Sequence, residues 1–123
     1  AMADILIIDD EDATRNSMRK TLEQAGHIVR EAASGREGLS LIHNEMPDLL
    51  ITDIFMPDKD GLEVIRELRQ EKLDLRILVI SDGGITGDID LLPQAKALGA
   101  QATLRKPFHP EDLLEVVNMV LRS

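Results

Sequence analysis

The sequence predicts a single α/β domain built on a parallel β-sheet. The chain has 123 residues, a length typical of one domain. Short apolar segments, typical of strands buried on both faces, alternate with segments whose apolar residues recur at helical spacing. Five such strand-and-helix units follow one another without internal repeats or linkers. Because crossovers between parallel strands are right-handed, we expect helices on both faces of the sheet.

Apolar runs and capping residues define the first three units. Their strands are predicted at residues 4–8, 28–32 and 49–52. The helices that follow are predicted at residues 12–25, 34–43 and about 61–71. Met18, Leu22 and Ala25 lie at helical spacing in the first helix, which Gly26 ends. Ser34 and Asp60 are the expected N-caps of the next two helices, because each has a glutamate three residues later, as in a capping box.

The last two units are shorter and are separated by a glycine-rich stretch. Their strands are predicted at residues 77–80 and 102–104, and their helices at residues 91–98 and 110–121. Pro93 is compatible with helix only in the first turn, which places it near the start of the fourth helix. Residues 82–87 contain three glycines and are predicted to form a loop.

Composition and charge exclude several classes of function. Asp and Glu outnumber Lys and Arg by 23 to 14, a formal net charge of −9, so the domain lacks the basic face that nucleic acids and anionic membranes require. The absence of Cys excludes disulfides and thiolate chemistry and is compatible with the cytoplasmic location that we expect. No apolar run approaches the roughly 20 residues that cross a bilayer, and we expect no signal peptide. Ala1 is interpreted as a cloning remnant, so the predicted domain comprises residues 2–123.

Polar residues with reactive side chains follow four of the five predicted strands. Asp9 and Asp10 follow the first strand, Asp53 the third, Ser81 the fourth and Lys106 the fifth. In open parallel sheets the functional crevice lies outside the carboxyl ends of the strands. The sequence therefore predicts that these side chains share one crevice.

The predicted crevice has the chemistry of phosphoryl transfer. Three converging carboxylates repel one another, and Mg²⁺, which prefers oxygen ligands, removes the conflict. Lys106 supplies a positive charge and Ser81 a hydroxyl donor for phosphate oxygens. Because an aspartate is able to form an aspartyl phosphate, the sequence suggests an Asp that accepts a phosphoryl group. His27, His43 and His109 lack the spacing of metal ligands and are expected at the surface.

Several segments also carry a family resemblance. In chain order they are 5–11 (Ile-Leu-Ile-Ile-Asp-Asp-Glu), 51–57 (Ile-Thr-Asp-Ile-Phe-Met-Pro), 60–63 (Asp-Gly-Leu-Glu), 78–81 (Leu-Val-Ile-Ser), 98–100 (Leu-Gly-Ala) and 106–108 (Lys-Pro-Phe). Together they resemble the receiver domains of two-component response regulators, over residues 4 to about 122. The resemblance implies a flavodoxin-like (βα)₅ three-layer sandwich with strand order 2-1-3-4-5. It also implies a signalling domain that catalyses only its own phosphorylation and dephosphorylation.

The resemblance assigns a role to each residue of the crevice. Asp53 is expected to take a phosphoryl group from a phosphohistidine on a histidine kinase or a histidine phosphotransfer protein. Mg²⁺ would be held by Asp9, Asp10, Asp53 and the backbone carbonyl of Phe55. Ser81 and Lys106 would contact the phosphoryl oxygens, and the Lys106–Pro107 peptide bond would be cis, as in about 5–6% of X-Pro bonds.

The sequence departs from the family pattern at three positions. The family usually has an aromatic switch residue three positions before the phosphate-binding lysine, where this chain has Thr103. We therefore expect Ser81 to move on phosphorylation and the signal to travel by another route. Asp82 replaces the usual small residue after Ser81. Phe55, large and apolar, is predicted to hinder an attacking water and to prolong the phosphorylated state.

The last helix predicts a partner surface. Its apolar residues cover more than one face, whereas docking against a sheet uses about three or four per two turns. With Ile89, Leu91 and Leu92 of the preceding helix, they predict a surface for a homodimer or an output domain on the fourth helix, fifth strand and fifth helix.

Two alternative functions fit parts of the sequence. Residues 10–14 (Asp-Glu-Asp-Ala-Thr) match the Asp-x-Asp-x-Thr signature of haloacid dehalogenase-type phosphatases, in which Asp10 and Asp12 would act. Too few residues follow Lys106 for the second acidic pair of that class, and Asp53 would be unexplained. A receiver that docks partners without being phosphorylated is the other alternative, and the intact set of crevice residues argues against it.

Overall fold

The computed structural model describes residues 2–81 and 92–123 and contains the predicted parallel sheet. Its strands are β1 (Asp4–Ile8), β2 (Ile28–Ala32), β3 (Leu49–Asp53), β4 (Arg76–Ser81) and β5 (Ala102–Arg105). Its helices are α1 (Asp12–Gln24), α2 (Gly35–Asn44), α3 (Gly61–Gln70), α4 (Leu92–Ala97) and α5 (Pro110–Arg122). The strand order is β2-β1-β3-β4-β5, which confirms the predicted topology. The element ends differ from the prediction by one residue at most, where the structure describes both.

Helices cover both faces of the sheet, which explains the unbroken apolar strands. Ile5 and Ile7 of β1 pack in one layer with α1 and α5, whereas Leu6 and Ile8 pack in the other layer with α2, α3 and α4. All four side chains are fully buried. Alternate residues of a strand point to opposite faces, so a strand with helices on both sides must be apolar at every position.

The predicted N-caps of α2 and α3 are present. The Ser34 hydroxyl accepts a hydrogen bond from the Glu37 N–H at 3.2 Å, and the Asp60 carboxylate accepts one from the Glu63 N–H at 2.9 Å. The Glu37 carboxylate accepts from the N–H of Ala33 rather than from that of Ser34, so the α2 box is displaced by one residue. These bonds satisfy N–H groups that the first turn of a helix leaves unpaired.

Two predictions from local pattern are wrong. Ala25 is exposed at the C-cap of α1 and does not join the buried face of Met18 and Leu22. His27 is buried, and its Nδ1 atom accepts a hydrogen bond from the Ala3 N–H at 3.1 Å. That donor lies 24 residues away in the chain, so no local pattern reveals it. His43 and His109 are exposed, as predicted.

The additional apolar residues of α5 are partly covered. Leu113, Val117 and Val120 are buried, and Met119 is 51% exposed. Leu92 belongs to the buried core beside α3 and so does not extend an exposed apolar surface, contrary to the prediction. Ile89 and Leu91 lie outside the described residues, as does the predicted loop at 82–87. Among the helices that the structure describes, none has both the length and the apolar character to cross a membrane.

Candidate functional site

The carboxyl ends of β1, β3 and β5 bring three charged side chains into contact. β1 pairs with β3 so that Ile8 lies opposite Thr52. The next residues of the two strands, Asp9 and Asp53, are therefore neighbours at the carboxyl edge of the sheet. The Lys106 Nζ atom lies 3.1 Å from Oδ2 of Asp9 and 3.4 Å from Oδ2 of Asp53. The structure therefore places one ammonium group between two carboxylates.

The third carboxylate of the crevice lies at its open side. Asp9, Asp10 and Asp53 each offer a carboxylate oxygen, and these oxygens lie within 4.8 Å of one another. Asp9 and Asp53 are buried, whereas Asp10 is exposed. Asp10 and Phe55 line a surface depression of about 430 Å³, and the Phe55 side chain is 48% exposed. An acidic cluster with one exposed member is able to bind a metal ion that retains part of its water shell.

Backbone groups orient the two buried carboxylates. Oδ1 of Asp9 accepts a hydrogen bond from the Glu11 N–H at 2.9 Å, and Oδ1 of Asp53 accepts one from the Ile54 N–H at 2.8 Å. In both residues Oδ2 faces Lys106. Each carboxylate thus has one oxygen held by the main chain and the other in the shared crevice.

Gly61 allows the start of α3 to lie directly against the backbone of Asp53. A Cβ atom at Gly61 would lie 2.2 Å from the Asp53 carbonyl oxygen, and the Gly61 N–H donates to the Ile54 carbonyl at 2.8 Å. Any larger residue would displace the end of β3 that carries Asp53.

Burial and charge perturb the ionisation of the crevice. The pKa of Asp53 is raised to about 6: burial is the largest cause, the Lys106 charge opposes it, and the nearby Asp9 charge adds to the rise. Burial acts to lower the pKa of Lys106, but the charges of Asp53 and Asp9 outweigh it, and the net direction is upward. Lys106 is therefore charged at neutral pH, and Asp53 is ionised but close to its titration range.

The remaining predicted site residues lie on the neighbouring strands. Ser81 is fully buried at the end of β4, and its carbonyl accepts a hydrogen bond from the Lys106 N–H at 2.9 Å. Thr103 is half-buried in β5 opposite Val79. The Lys106–Pro107 peptide bond is cis. Asp82 lies outside the described residues.

The residues of the alternative phosphatase signature do not converge. The Asp12 side chain is 88% exposed and pairs with Arg15 at 2.7 Å. It therefore lies at the surface of α1, outside the cluster of Asp9, Asp10 and Asp53. Glu111 and Asp112 are exposed in the first turn of α5, where acidic side chains interact favourably with the helix dipole.

Arg15 contacts the site but is not among the residues that the sequence pattern identifies. Its Nη1 group donates a hydrogen bond to the Asp9 carbonyl at 2.7 Å. The one local signal is its spacing of three residues from Asp12, which is common on helix surfaces. The contact with Asp9 depends on how β1 turns into α1, which the pattern does not encode.

Comparison with known proteins identifies the class to which this fold and site belong. A sequence model of the response regulator receiver domain matches residues 5–118. The chain therefore belongs to the response regulator receiver domain family, a class of signalling domains. The phosphatase alternative is not favoured.

Particular relatives agree with this membership. The chain is 40% identical to response regulator MprA of Mycolicibacterium vanbaalenii over 118 residues, covering 96% of this chain and 50% of the relative. It is 37% identical to the probable transcriptional regulator ycf27 of Guillardia theta, covering 96% of this chain and 45% of that protein. The chain thus spans about half the length of the curated relatives it matches.

Solved structures confirm the fold. Chemotaxis protein CheY4 of Vibrio cholerae superposes with a TM-score of 0.87 at 34% identity, covering 98% of this chain and 99% of that one. NtrX of Brucella abortus superposes with a TM-score of 0.89 at 30% identity, covering 99% of this chain and 27% of that one. The flavodoxin-like sheet order predicted from the resemblance is therefore confirmed.

Proposed function

We propose that Asp53 accepts a phosphoryl group from a phosphohistidine of a histidine kinase or a histidine phosphotransfer protein. The observation that carries the proposal is the position of the Asp53 carboxylate. It lies 3.4 Å from the Lys106 ammonium and within 4.8 Å of the carboxylates of Asp9 and Asp10. A nucleophilic oxygen thus lies beside a cation and beside oxygen ligands for a second cation, the arrangement that phosphoryl transfer requires.

The donor set fits Mg²⁺. Asp9, Asp10, Asp53 and the backbone carbonyl of Phe55 would hold the ion, all through the oxygen ligands that it prefers. The raised pKa of Asp53 supports this fit. Burial and the Asp9 charge both disfavour the ionised carboxylate, and the single positive charge of Lys106 does not offset them. When bound, Mg²⁺ neutralises negative charge on the acceptor and on the transferring phosphoryl group.

The residues of the chain supply the nucleophile and the anion contacts. A carboxylate oxygen of Asp53 forms a bond to phosphorus while the phosphorus–nitrogen bond of the phosphohistidine breaks and the imidazole leaves. With a pKa of about 6, Asp53 is mostly ionised at neutral pH and so is competent to attack. Lys106 and the hydroxyl of Ser81 would bind the phosphoryl oxygens, and the ammonium of Lys106 already lies at the crevice.

The proposed output surface comprises α4, β5 and α5, which would contact a second copy of the chain or an output domain. Phe108, Leu104 and Lys96 line a groove of about 590 Å³ between these elements. Thr103 also lines this groove, so the position that is usually aromatic lies on the proposed surface. With a net charge of −9, the domain itself is not expected to bind nucleic acid or membranes.

Phosphorylation by a small phosphodonor tests the proposal. We expect incubation with acetyl phosphate and Mg²⁺ to add one phosphoryl group per chain, detected by intact mass, and chelation of Mg²⁺ to abolish it. Asp53→Asn should eliminate labelling, because the amide is not a nucleophile. Asp74→Asn, which makes the same charge change at an exposed position, should be labelled like the wild type.

Two results would contradict the proposal. Repeated turnover of a phosphomonoester that survives Asp53→Asn but not Asp10→Asn would indicate a phosphatase. A folded wild-type chain that stays unlabelled by acetyl phosphate and by every kinase tested would indicate a docking receiver.

A further inference from the structure

We propose that Arg15 is a positioning residue for the metal site and that it sets the direction of the Asp10 carboxylate. The inference rests on the proposed function of this crevice. Asp10 is the exposed member of the acidic cluster, whereas Asp9 and Asp53 are buried and held by main-chain hydrogen bonds. The position of Asp10 therefore depends on the backbone that carries it.

Arg15 contacts that backbone directly. Its Nη1 group donates to the carbonyl oxygen of Asp9 at 2.7 Å. The Asp9 carbonyl and the Asp10 nitrogen belong to one planar peptide group, so a fixed carbonyl direction also fixes the Cα position of Asp10. The peptide group before Asp9 is held by a different bond, because the Asp9 N–H donates to the Ala32 carbonyl at 3.1 Å. Arg15 therefore acts on the next peptide group, which joins Asp9 to Asp10.

The guanidinium is itself anchored at two other points. Nη2 donates to the Asp12 carboxylate at 2.7 Å and Nε to the Glu31 carboxylate at 3.1 Å. Asp12 begins α1 and Glu31 lies in β2, so Arg15 ties the peptide between Asp9 and Asp10 to a helix and to a neighbouring strand. The side chain is 15% exposed, and its planar fork suits three simultaneous acceptors.

Geometry and charge predict opposite effects when Arg15 is removed. Arg15→Gln deletes a positive charge near a cation site, and this change alone would strengthen Mg²⁺ binding. Loss of the Asp9 contact would release the Asp10 carboxylate and weaken binding. Removal of groups that orient metal ligands typically costs 10–100-fold in affinity, so we expect the Mg²⁺ dissociation constant to rise about 10-fold.

Calorimetric titration of the purified chain with Mg²⁺ tests the inference without any phosphorylation step. The matched control is Arg19→Gln, which removes the same charge from the same helix. Arg19 also pairs with Glu31, at 3.0 Å, but within the described part of the chain its other side-chain contacts are with Glu23 and Asn16 and not with Asp9. We expect Arg19→Gln to bind Mg²⁺ as tightly as the wild type or more tightly.

Arg15→Lys separates position from charge, since it keeps the charge and loses the fork. We expect its dissociation constant to rise severalfold, and the amide resonance of Asp10 to shift in both Arg15 variants before Mg²⁺ is added. If Arg15→Gln does not fold, the Mg²⁺ dissociation constant of Arg15→Lys tests the inference instead.

Unchanged or tighter Mg²⁺ binding in the folded Arg15 variants would overturn the inference and leave the proposed function intact. Absence of Mg²⁺ binding in the wild type and in Arg19→Gln would instead contradict the proposed metal site.

Discussion

The Asp53 carboxylate illustrates, at the scale of a residue, how a reactive group is kept at a cost to stability. It is 8% exposed and lies beside the fully buried Asp9, with Lys106 as its nearby cation. Burial raises its pKa to about 6, from 3.8, so the native state holds a proton that the unfolded chain has already lost. Stability therefore falls as the pH rises from about 4 to about 6 and stays lower above that range.

Asp53→Asn should stabilise the metal-free protein at neutral pH. The amide has nearly the shape of the protonated carboxyl and avoids its ionisation, which costs up to about 3 kcal/mol for a shift of about two pKa units. We expect the free energy of unfolding at pH 7.5 with a chelator to rise by about 1–3 kcal/mol, and the difference from wild type to vanish near pH 4. The chain has no Trp or Tyr, so urea unfolding is best followed by far-ultraviolet circular dichroism.

Asp74→Asn is the control, because it makes the same substitution at an exposed site. A variant Asp53→Asn that is less stable than wild type at pH 7.5 would show that contact with Lys106 outweighs burial. Added Mg²⁺ should stabilise the wild type more than the variant.

Phe55 is predicted to set the lifetime of the phosphorylated state. Its side chain is 48% exposed beside the depression that Asp10 also lines, and a bulky apolar group there hinders an attacking water. We expect Phe55→Asn to release phosphate severalfold faster than wild type, measured by loss of the phosphorylated mass. Phe55→Leu, which keeps an apolar side chain, should retain the slow rate. Equal rates for all three proteins would contradict the prediction.

Contacts between elements link the loop after β3 to the start of α2. Asp58, in the loop between β3 and α3, accepts hydrogen bonds from the N–H groups of Gly35 and Arg36 at 3.3 and 3.1 Å. A Cβ atom at Gly35 would lie 2.4 Å from the Lys59 carbonyl oxygen, so only glycine allows this approach. The cap of α2 therefore comes partly from the loop that also carries Phe55.

Removal of this second cap should loosen α2. Asp58→Ala leaves two N–H groups of the first turn without their carboxylate partner, and we expect Tm to fall by roughly 5 °C. Asp58→Asn keeps an acceptor oxygen and should lose less. Hydrogen exchange localises the effect, since the amides of residues 35–37 should exchange faster in Asp58→Ala while those of α5 do not. Unchanged exchange at these amides would show that Ser34 suffices as the cap.

Two apolar layers on either side of one sheet hold the whole molecule together. Leu22 of α1 and Leu68 of α3 are both fully buried, in different layers. The sheet residues of both layers come from the same strands. If the helices of one layer detach, the strands that also support the other layer become exposed to water. We therefore propose that residues 2–123 behave as one domain that unfolds in a single transition.

Leu22→Ala and Leu68→Ala test this proposal from opposite sides. Each should lower the free energy of unfolding by about 2–5 kcal/mol through lost burial and a new cavity, without adding a second transition in urea. Met119→Ala, at a side chain that is 51% exposed, should change stability by about 0.5 kcal/mol or less. A biphasic curve for either leucine variant would contradict the proposal of one domain.

Local patterns predicted the elements of the fold and the positions of the crevice residues along the chain. An unbroken apolar run such as 4–8 predicts a doubly covered strand because successive side chains point to opposite faces. A polar residue directly after such a run, such as Asp9 or Ser81, must lie at the carboxyl edge of the sheet. These inferences depend only on how side-chain direction repeats along a strand or helix, so they require no knowledge of long-range contacts.

Long-range packing alone decided the contacts, the burial and the ionisation. Lys106 contacts Asp9, 97 residues away in the chain, and Asp53, 53 residues away. The pKa of Asp53 is set by its burial in the folded chain together with the nearby charges of Lys106 and Asp9. The acceptors of Arg15 and the burial of His27 likewise come from segments that the local pattern does not connect. Hydrogen bonding and desolvation depend on separations of a few ångströms between folded segments, and the order of residues specifies those separations only through the complete fold.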